Sequence, residues 1–528
     1  MTPGSGPHLD TPNANEVAAR SVSSGAVAIA SNIVQMAIGI GTTLVLVRIL
    51  DPADYGLYYM GGMVLLLSVA VRDLGIGTAV VNAPDLSKER ASGLFWCVAL
   101  VTLAVAVLIA ASGLPLSLIF GSPELVPLMP VLGVVSLVHG IGAVHDGLLK
   151  RRMRFVAVAC RDIGGMLAGS LIAIGVASAG HDHWALAGQQ VAIACAGLVV
   201  VLIACPWVPG SPKHLRTMLR TGSEATHLWH GARIATTRLV GLLGIIADRV
   251  SIGAVAGERP LGLYNQSYQW AEFPTRQVYQ PLMAVVVSTF SRRQDQETDG
   301  YRRSFRQVLL VLFGVTIPML VYGAMRAELV IPVLLGEKWI DAAPLFRWLC
   351  VAFLFRLMVQ ACKWLYLGES RSADNLRWTA ALTPVLVIAA AAGATQGAIG
   401  VAIAIAAAYA AAAPVAVWYG TRNSRVLPQD LVLPTLRPLL GSAFGLVGVL
   451  VLGEAAGALT AEDVPAAALL VAEVALFMLA GAVAWALPGP GRDDLLECIR
   501  TLAARGRPRA HDADGNASNN DSDRGATT

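Results

Sequence analysis

Long apolar runs separated by short polar segments dominate the chain. Each run is close to the roughly 20 residues that a helix needs to cross a bilayer, and about fourteen are found. The eleventh and thirteenth are short or weakly delimited, so twelve or thirteen spans are alternatives. The pattern predicts an all-α polytopic membrane protein. The candidate spans are Ser21–Val47, Gly56–Val81, Ala91–Gly113, Leu125–Leu149, Phe155–Ala179, Trp184–Val208, Leu228–Ala256, Leu263–Phe290, Val308–Ala324, Pro344–Leu367, Trp378–Ala394, Gly397–Val417, Leu436–Gly453 and Val464–Leu487.

The composition supports this interpretation. Hydrophobic residues make up 55% of the 528 residues and charged residues only 14%, against about 25% charged in soluble domains. An ordinary soluble enzyme or nucleic-acid-binding protein is excluded. The 7 cysteines are scattered without a CxxC pair, which gives no support to a disulfide framework or a zinc site. No GxxxxGK[ST] loop occurs, so we do not expect direct use of ATP. We also expect neither a metal nor a cofactor.

The loop charges predict the topology, because Lys and Arg accumulate in short cytoplasmic loops. With the N-terminus inside, most of the 39 basic residues fall in cytoplasmic segments, and Arg48, Arg259, Arg326 and Lys338 fall outside. Both termini are therefore expected in the cytoplasm. The Gly/Asn/Ser/Asp-rich end of the chain lacks large apolar residues and is expected to be disordered.

A short internal repeat predicts how the spans are grouped. Gly56-Leu57-Tyr58 opens the second span and Gly262-Leu263-Tyr264 opens the eighth, each after a turn containing proline and a charge. Because the copies are six spans apart, both enter the membrane from the same side. This predicts two similarly oriented six-helix lobes and two extra helices. The expected divisions are a cytoplasmic segment 1–20, an N-terminal lobe 21–210, a C-terminal lobe 211–420, two further helices in 421–490 and a cytoplasmic tail 491–528.

Charges inside the spans are the candidate functional groups, since a charged side chain at mid-bilayer is costly unless it faces protein or water. Arg161 and Asp162 are interpreted as lying near the headgroups. Three spans of the second lobe carry polar stripes at helical spacing. The seventh has Arg238 and Arg249, the eighth has Tyr264, Tyr268, Glu272 and Arg276, and the tenth has Arg356, Gln360 and Lys363.

We interpret these stripes as the lining of a shared, net basic cavity, with purely structural ion pairs as the alternative. A basic cavity favours an anion, and the arginine fork favours phosphate because it binds two oxygens at once. Arg238, Arg249, Arg276, Arg356 and Lys363 are the candidate phosphate-binding residues, supported by Tyr264, Tyr268, Glu272 and Gln360. Arg72 and Asp73 are a candidate gate or, equally, a pair at the headgroups.

Two segments resemble a known family. Leu46–Leu57, followed by Arg72–Ala79, is similar to the N-terminal signature of bacterial polysaccharide exporters, and Leu261–Tyr268, running on through Pro274 and Pro281, is a second match. These exporters belong to the multidrug/oligosaccharidyl-lipid/polysaccharide exporter superfamily. The resemblance implies two six-helix lobes around a central cavity. It also implies a transporter, not an enzyme, that flips undecaprenyl-diphosphate-linked oligosaccharides across the bacterial cytoplasmic membrane by alternating access.

The implied partners are the lipid-linked oligosaccharide, membrane lipids, and a polysaccharide polymerase with glycosyltransferases, around a functional monomer. Two alternatives are open. A cation-coupled multidrug exporter of the same superfamily usually places a carboxylate in the first lobe, and the first span has none. A membrane glycosyltransferase or polymerase usually has sizeable external loops, and the predicted external loops are short.

Overall fold

The computed structural model describes residues 14–72, 86–215, 242, 244, 246–292, 298–457 and 466–486. These residues form α-helices joined by short turns, with one 3-10 helix at Glu337–Ala342 and no strand among them. Residues 246–256 are also helical. The other helices are α1 Ala14–Ile49, α2 Pro52–Arg72, α3 Lys88–Ala111, α4 Gly113–Phe120, α5 Leu125–Arg151, α6 Phe155–Ser178, α7 Asp182–Ala204, α8 Glu258–Arg292, α9 Thr298–Met325, α10 Ala327–Leu335, α11 Ala343–Gly368, α12 Ser372–Ala394, α13 Gly397–Thr421, α14 Pro428–Gly457 and α15 Ala466–Ala486.

The all-α membrane architecture expected from the apolar pattern is confirmed. Within the described residues, 10 helical stretches are long and apolar enough to cross a membrane. The helices α2, α8 and α15 are not among the ten but coincide with further candidate spans. Most of the predicted seventh span lies outside the described residues, as does the end of the second, so the number fourteen stays a prediction.

The N-terminal helices form one bundle. Helix α7 packs along both α6 and α5, while α3 and α2 pack on α5 and α1 packs on α6. Thr42 donates a 2.6 Å hydrogen bond to the Ser170 hydroxyl, and this buried contact joins α1 to α6. The bundle therefore consists of the helices that the sequence repeat assigns to the first lobe.

The later helices repeat this arrangement. Helix α13 packs along both α12 and α11, while α9 and α8 pack on α11. Helix α14 packs on α9, and α15 packs on α14. On α15, the buried Glu473 accepts hydrogen bonds from Arg326 and from the Tyr322 hydroxyl, the latter at 3.2 Å. The last two helices are thus attached to the C-terminal lobe.

Backbone turns recur in the two lobes at matching points. The left-handed residues Gly121, Met153 and Gly180 follow α4, α5 and α6, and Gly336, Ser370 and Gly397 follow α10, α11 and α12. Met153 and Ser370 are separated by the same number of residues as Gly180 and Gly397. Gly121 and Gly336 are separated by nearly the same number. Left-handed backbone is uncommon for residues with a side chain, such as Met153 and Ser370. The match is therefore independent evidence for an internal repeat.

The repeated Gly-Leu-Tyr segments are where the lobes meet. Helices α2 and α8 cross so closely that a Cβ atom on Gly56 would overlap the carbonyl oxygen of Glu258. A Cβ atom on Gly262 would likewise overlap the carbonyl oxygen of Pro52. The glycines are required at this crossing because backbone, and not a movable side chain, occupies the space. We call it the glycine crossing, and it joins the lobes at the end where α1 turns into α2.

Trp339, which is fully buried, reinforces the glycine crossing. Its indole Nε1 donates a 2.8 Å hydrogen bond to the carbonyl of Val47, and its ring packs edge-on against Tyr55 at 5.4 Å. Nearby, the Lys338 ammonium donates to the carbonyl of Ile49 at 3.1 Å. The described structure therefore has the lobes closed together at this end.

Candidate functional site

Two of the predicted cations, Arg249 and Arg356, converge on one aromatic ring. The guanidinium carbon of Arg249 lies 4.8 Å from the centre of the Tyr268 ring, and that of Arg356 lies 5.9 Å from it. The two arginines come from the segment 246–256 and from α11, and Tyr268 lies on α8 between them. Together with Asn265 and Glu272, these residues are called the arginine cluster.

Arg249 is oriented by a neutral partner. Its Nε donates a 2.7 Å hydrogen bond to the side-chain oxygen of Asn265, and the face of Tyr268 covers the guanidinium. Among the described residues, no carboxylate oxygen lies within salt-bridge distance of this guanidinium. Since a guanidinium carries five donors, Arg249 is positioned while most of its donors stay available to an anion.

Arg356 is held by both a hydroxyl and a carboxylate. Its Nη1 donates a 2.6 Å hydrogen bond to the Tyr268 hydroxyl and lies 3.3 Å from Oε1 of Glu272. The ring of Phe353, one turn earlier on α11, lies 4.9 Å from its guanidinium carbon. Glu272 therefore offsets part of the Arg356 charge, and the ion-pair alternative from the sequence applies to this residue in part.

Asp248 fixes the start of the arginine cluster. This buried carboxylate accepts a 2.7 Å hydrogen bond from the Tyr264 hydroxyl and a 2.8 Å bond from the backbone N–H of Arg249. Because Tyr264 lies on α8, its bond to Asp248 ties the segment 246–256 to that helix, while the bond from Arg249 orients the carboxylate within the segment. Tyr264 therefore contacts Asp248 directly, and its role as a supporting residue stays a prediction.

The polar stripe of α11 continues beyond Arg356. Lys363 lies two turns further along the helix and therefore on nearly the same face as Arg356. Between them, the buried side-chain oxygen of Gln360 accepts no hydrogen bond from the described residues. A buried acceptor of this kind calls for a partner, and a water or ligand hydroxyl between the two cations would supply one.

The charge balance of the region is basic. Arg249, Arg356 and Lys363 carry three positive charges, and Asp248 and Glu272 carry two negative ones. In a region of reduced dielectric, a single unbalanced positive charge attracts an anion more strongly than it would in water. The arrangement can therefore bind an anionic group that reaches both Arg249 and Arg356.

The N-terminal lobe reaches this site through Tyr59 of α2. Gln269, the residue after Tyr268 on α8, donates a hydrogen bond to the hydroxyl of Tyr59. The arginine cluster consequently borders the contact between the lobes.

The remaining predicted site residues are placed differently. Arg276 is exposed and shares none of the described contacts of the arginine cluster. Arg238 and Asp73 lie outside the described residues, and Arg72 is the last residue of α2. The roles assigned to these four residues stay predictions. Among the residues that the structure describes, no group of three His, Cys, Asp or Glu side chains is arranged to hold a metal.

A second polar site lies inside the N-terminal lobe, where the sequence indicated only headgroup contacts. Arg161 donates to Asp146 and, at 2.6 and 2.8 Å, to Asp162. Lys150 lies 2.7 Å from the other oxygen of Asp146. These four side chains line a cavity of about 590 Å³ bounded by α3, α5, α6 and α7, with Gln35 of α1 at its edge. We call it the N-lobe cavity.

The comparisons with known proteins agree with this architecture. Residues 45–344 match the family described as polysaccharide biosynthesis protein. The chain is 24% identical over 310 residues to the teichuronic acid biosynthesis protein TuaB of Bacillus subtilis (strain 168), covering 58% of this chain and 63% of TuaB. It therefore spans slightly less than two thirds of TuaB.

A second relative and a solved structure extend the comparison. The lipopolysaccharide biosynthesis protein WzxC of Escherichia coli (strain K12) is 22% identical, covering 70% of this chain and 75% of WzxC. The lipid II flippase MurJ, in an inward closed conformation, superposes with a TM-score of 0.68 at 12% identity, covering 87% of this chain and 97% of MurJ. MurJ thus shares the fold. The matched family covers more than half of the chain, so this multi-pass membrane protein belongs to the polysaccharide biosynthesis protein family.

Proposed function

We propose that this protein flips a diphosphate-linked oligosaccharide lipid from the inner to the outer leaflet of the bacterial cytoplasmic membrane. It acts as a transporter and not as an enzyme. The observation that carries the proposal is Arg249, a guanidinium aligned by Asn265 and Tyr268 without a carboxylate partner in the described structure. The polysaccharide-related names of the relatives and the flippase fold support the same conclusion.

In this mechanism the diphosphate binds between Arg249 and Arg356. The arginine forks contact separate phosphate oxygens, and Lys363 adds a flexible positive charge nearby. Glu272 holds Arg356 in place before substrate arrives, which limits the entropy lost on binding. Each charge-assisted contact contributes on the order of 1.5–3 kcal/mol, so one contact from each arginine contributes about 3–6 kcal/mol to binding of the headgroup.

Alternating access moves this site from one face of the membrane to the other. We place both termini in the cytoplasm, which puts the glycine crossing at the external end. With the crossing closed, the arginine cluster accepts the lipid headgroup from the cytoplasmic leaflet. Opening of the crossing then exposes the same site to the outside. We infer a functional monomer, since each chain carries both lobes, and polymerase and glycosyltransferases as downstream and upstream partners.

The test is translocation of lipid-linked oligosaccharide in vesicles reconstituted with the full chain. Arg249→Gln and Arg356→Gln should each lower headgroup affinity by about tenfold or more, since each removes a charge-assisted contact. Arg249→Lys should restore little activity if two phosphate oxygens are gripped at once. Vesicle incorporation is measured for every variant.

Arg347→Gln is the matched control. Arg347 lies on α11 like Arg356, but its side chain is 43% exposed and its carboxylate partner, Glu328 at 3.1 Å, is exposed. This variant should transport at the rate of the unmodified protein. If the Arg249 and Arg356 variants transport equally well, the diphosphate assignment is wrong. Export of cationic drugs without lipid translocation would favour the multidrug-exporter alternative.

A further inference from the structure

The N-lobe cavity is too large for an ion and is lined by opposite charges. Its volume of about 590 Å³ corresponds to roughly twenty water molecules and falls in the range of pockets that hold organic ligands. The charged part of its lining, which we call the polar wall, consists of Asp146, Lys150, Arg161 and Asp162, and most of the other lining residues are small or aliphatic, such as Gly142 and Gly197. The cavity thus combines a polar wall with room for a ligand.

The charges on the polar wall exclude two classes of ligand. A phosphate would meet the carboxylates of Asp146 and Asp162, and a bare cation would meet Arg161 and Lys150. The four side chains balance one another in charge and are already engaged in short ion pairs. A neutral hydroxyl fits such a wall, because it donates to a carboxylate and accepts from a guanidinium at the same time.

Comparison of the lobes shows that residues of this cavity occupy positions equivalent to the cations of the C-terminal lobe. The spacing that relates Met153 to Ser370 and Gly180 to Gly397 also relates His139 to Arg356 and Asp146 to Lys363. His139 and Asp146 both line the N-lobe cavity. The positions that make the C-terminal lobe basic therefore carry an imidazole and a carboxylate in the N-terminal lobe.

We propose that the N-lobe cavity binds sugar units of the transported lipid while the arginine cluster binds its diphosphate. This inference rests on the proposed function. A lipid-linked oligosaccharide has one anionic and one hydroxyl-rich part, and the two lobes provide one matching surface each. Asp146, Asp162 and Arg161 exchange hydrogen bonds with sugar hydroxyls, and the glycine-lined wall leaves room for the rings.

The experiment compares two probes on purified full-length protein in nanodiscs: undecaprenyl diphosphate, and undecaprenyl-diphosphate-linked oligosaccharide extracted from the source organism. The unmodified protein should bind the glycan-bearing lipid at least about tenfold more tightly, the equivalent of one or two additional hydrogen bonds. Gly142→Leu fills the cavity and should remove most of this preference. The affinity for undecaprenyl diphosphate should stay within about twofold, since its site is in the other lobe.

Asp162→Asn is a second variant that keeps the shape of the cavity. Arg161 retains Asp146 as a partner in this variant, so folding should be preserved, and the glycan preference should fall several-fold. Gly175→Val is the control, because Gly175 lies on α6 with open space around its Cβ position and outside the cavity lining. It should leave both affinities unchanged.

The outcomes separate the two proposals. If the unmodified protein binds neither lipid, the proposed function fails and the sugar assignment fails with it. If it binds both lipids but Gly142→Leu and Asp162→Asn keep the full glycan preference, only the sugar assignment is wrong.

Discussion

The two lobes share backbone turns at equivalent positions, but their interiors carry different charged side chains. Arg154 and Arg371 each follow a left-handed residue and donate to a carbonyl at the end of the last helix of their lobe, Ala204 at 2.7 Å and Gly420 at 2.9 Å. The interior positions differ, with Asp146 in one lobe and Lys363 at the equivalent place in the other. Backbone geometry is therefore shared while the internal charge is divided between the lobes.

This difference between the lobes separates the residues that maintain the fold from the residues that determine which ligand binds. Turn residues, caps and the glycine crossing follow the repeat, because the same helices must pack in the same way in both lobes. Side chains that face the internal cavities do not follow it. A substrate with two chemically distinct parts can then contact both lobes without either lobe binding the whole molecule.

The largest effect is expected where the lobes touch. Gly56→Ala or Gly262→Ala places a Cβ atom against backbone of the other lobe, and overpacking of this kind costs about 1–3 kcal/mol. The closed arrangement should lose population by about fivefold to a hundredfold. Spin labels at the equivalent exposed positions Ser178 and Thr395 would measure the separation by double electron–electron resonance.

Gly62→Ala is the matched control for this prediction. Gly62 lies on α2 like Gly56, but no atom lies within 4 Å of its Cβ position. It should leave the distance distribution unchanged. A closed distribution retained in both crossing variants would contradict the role assigned to the glycine crossing.

A smaller effect is expected from exchanging one residue between the lobes. Lys363→Asp gives the C-terminal lobe the residue found at the matching N-terminal position and changes the balance near the arginine cluster from one net positive to one net negative charge. Binding of undecaprenyl diphosphate should weaken by about tenfold or more, and Lys363→Gln should weaken it less. Equal affinities for both variants would show that net charge does not govern this site.

The two capping arginines are expected to differ in how much they stabilise the protein. Arg371 also bonds Asp374 at 3.0 Å and Glu369 at 3.3 Å, whereas Arg154 is exposed. Arg371→Gln removes a partner from two carboxylates, so it should destabilise the protein by on the order of 1–3 kcal/mol. Arg154→Gln should destabilise it by at most about 1 kcal/mol. Thermal unfolding in detergent compares them. Equal melting temperatures would contradict this difference.

The sequence predicted the helices and part of the site for identifiable reasons. Apolar runs mark most spans, and helical spacing brought Arg249 and Arg356 into the prediction. The four-residue spacing of polar residues on the eighth span grouped Arg276 with Tyr264 and Tyr268. The structure does not place it in the arginine cluster, because each four-residue step turns the helix by about 40°. Arg276 therefore faces well away from Tyr264 on the same helix and is exposed.

Partners on other helices could not be derived from spacing. Asn265 orients Arg249 and Asp248 binds Tyr264, and both contacts depend on how the segment 246–256 packs against α8. The N-lobe cavity was missed for the same reason. Arg161 and Asp162 are near the beginning of α6, where contact with lipid headgroups is an ordinary interpretation. Only the ion pair between Arg161 and Asp146 of α5 shows that these side chains line a cavity.

Trp339 gives the glycine crossing an optical reporter. Its indole is fully buried between the lobes and hydrogen-bonded to Val47, so separation of the lobes transfers an intrinsic fluorophore from an apolar contact into water. The emission of an indole moves to longer wavelength on such a transfer. In a variant that retains only this one of the 11 tryptophans, the wavelength of maximum fluorescence emission would report opening of the transporter without an attached dye.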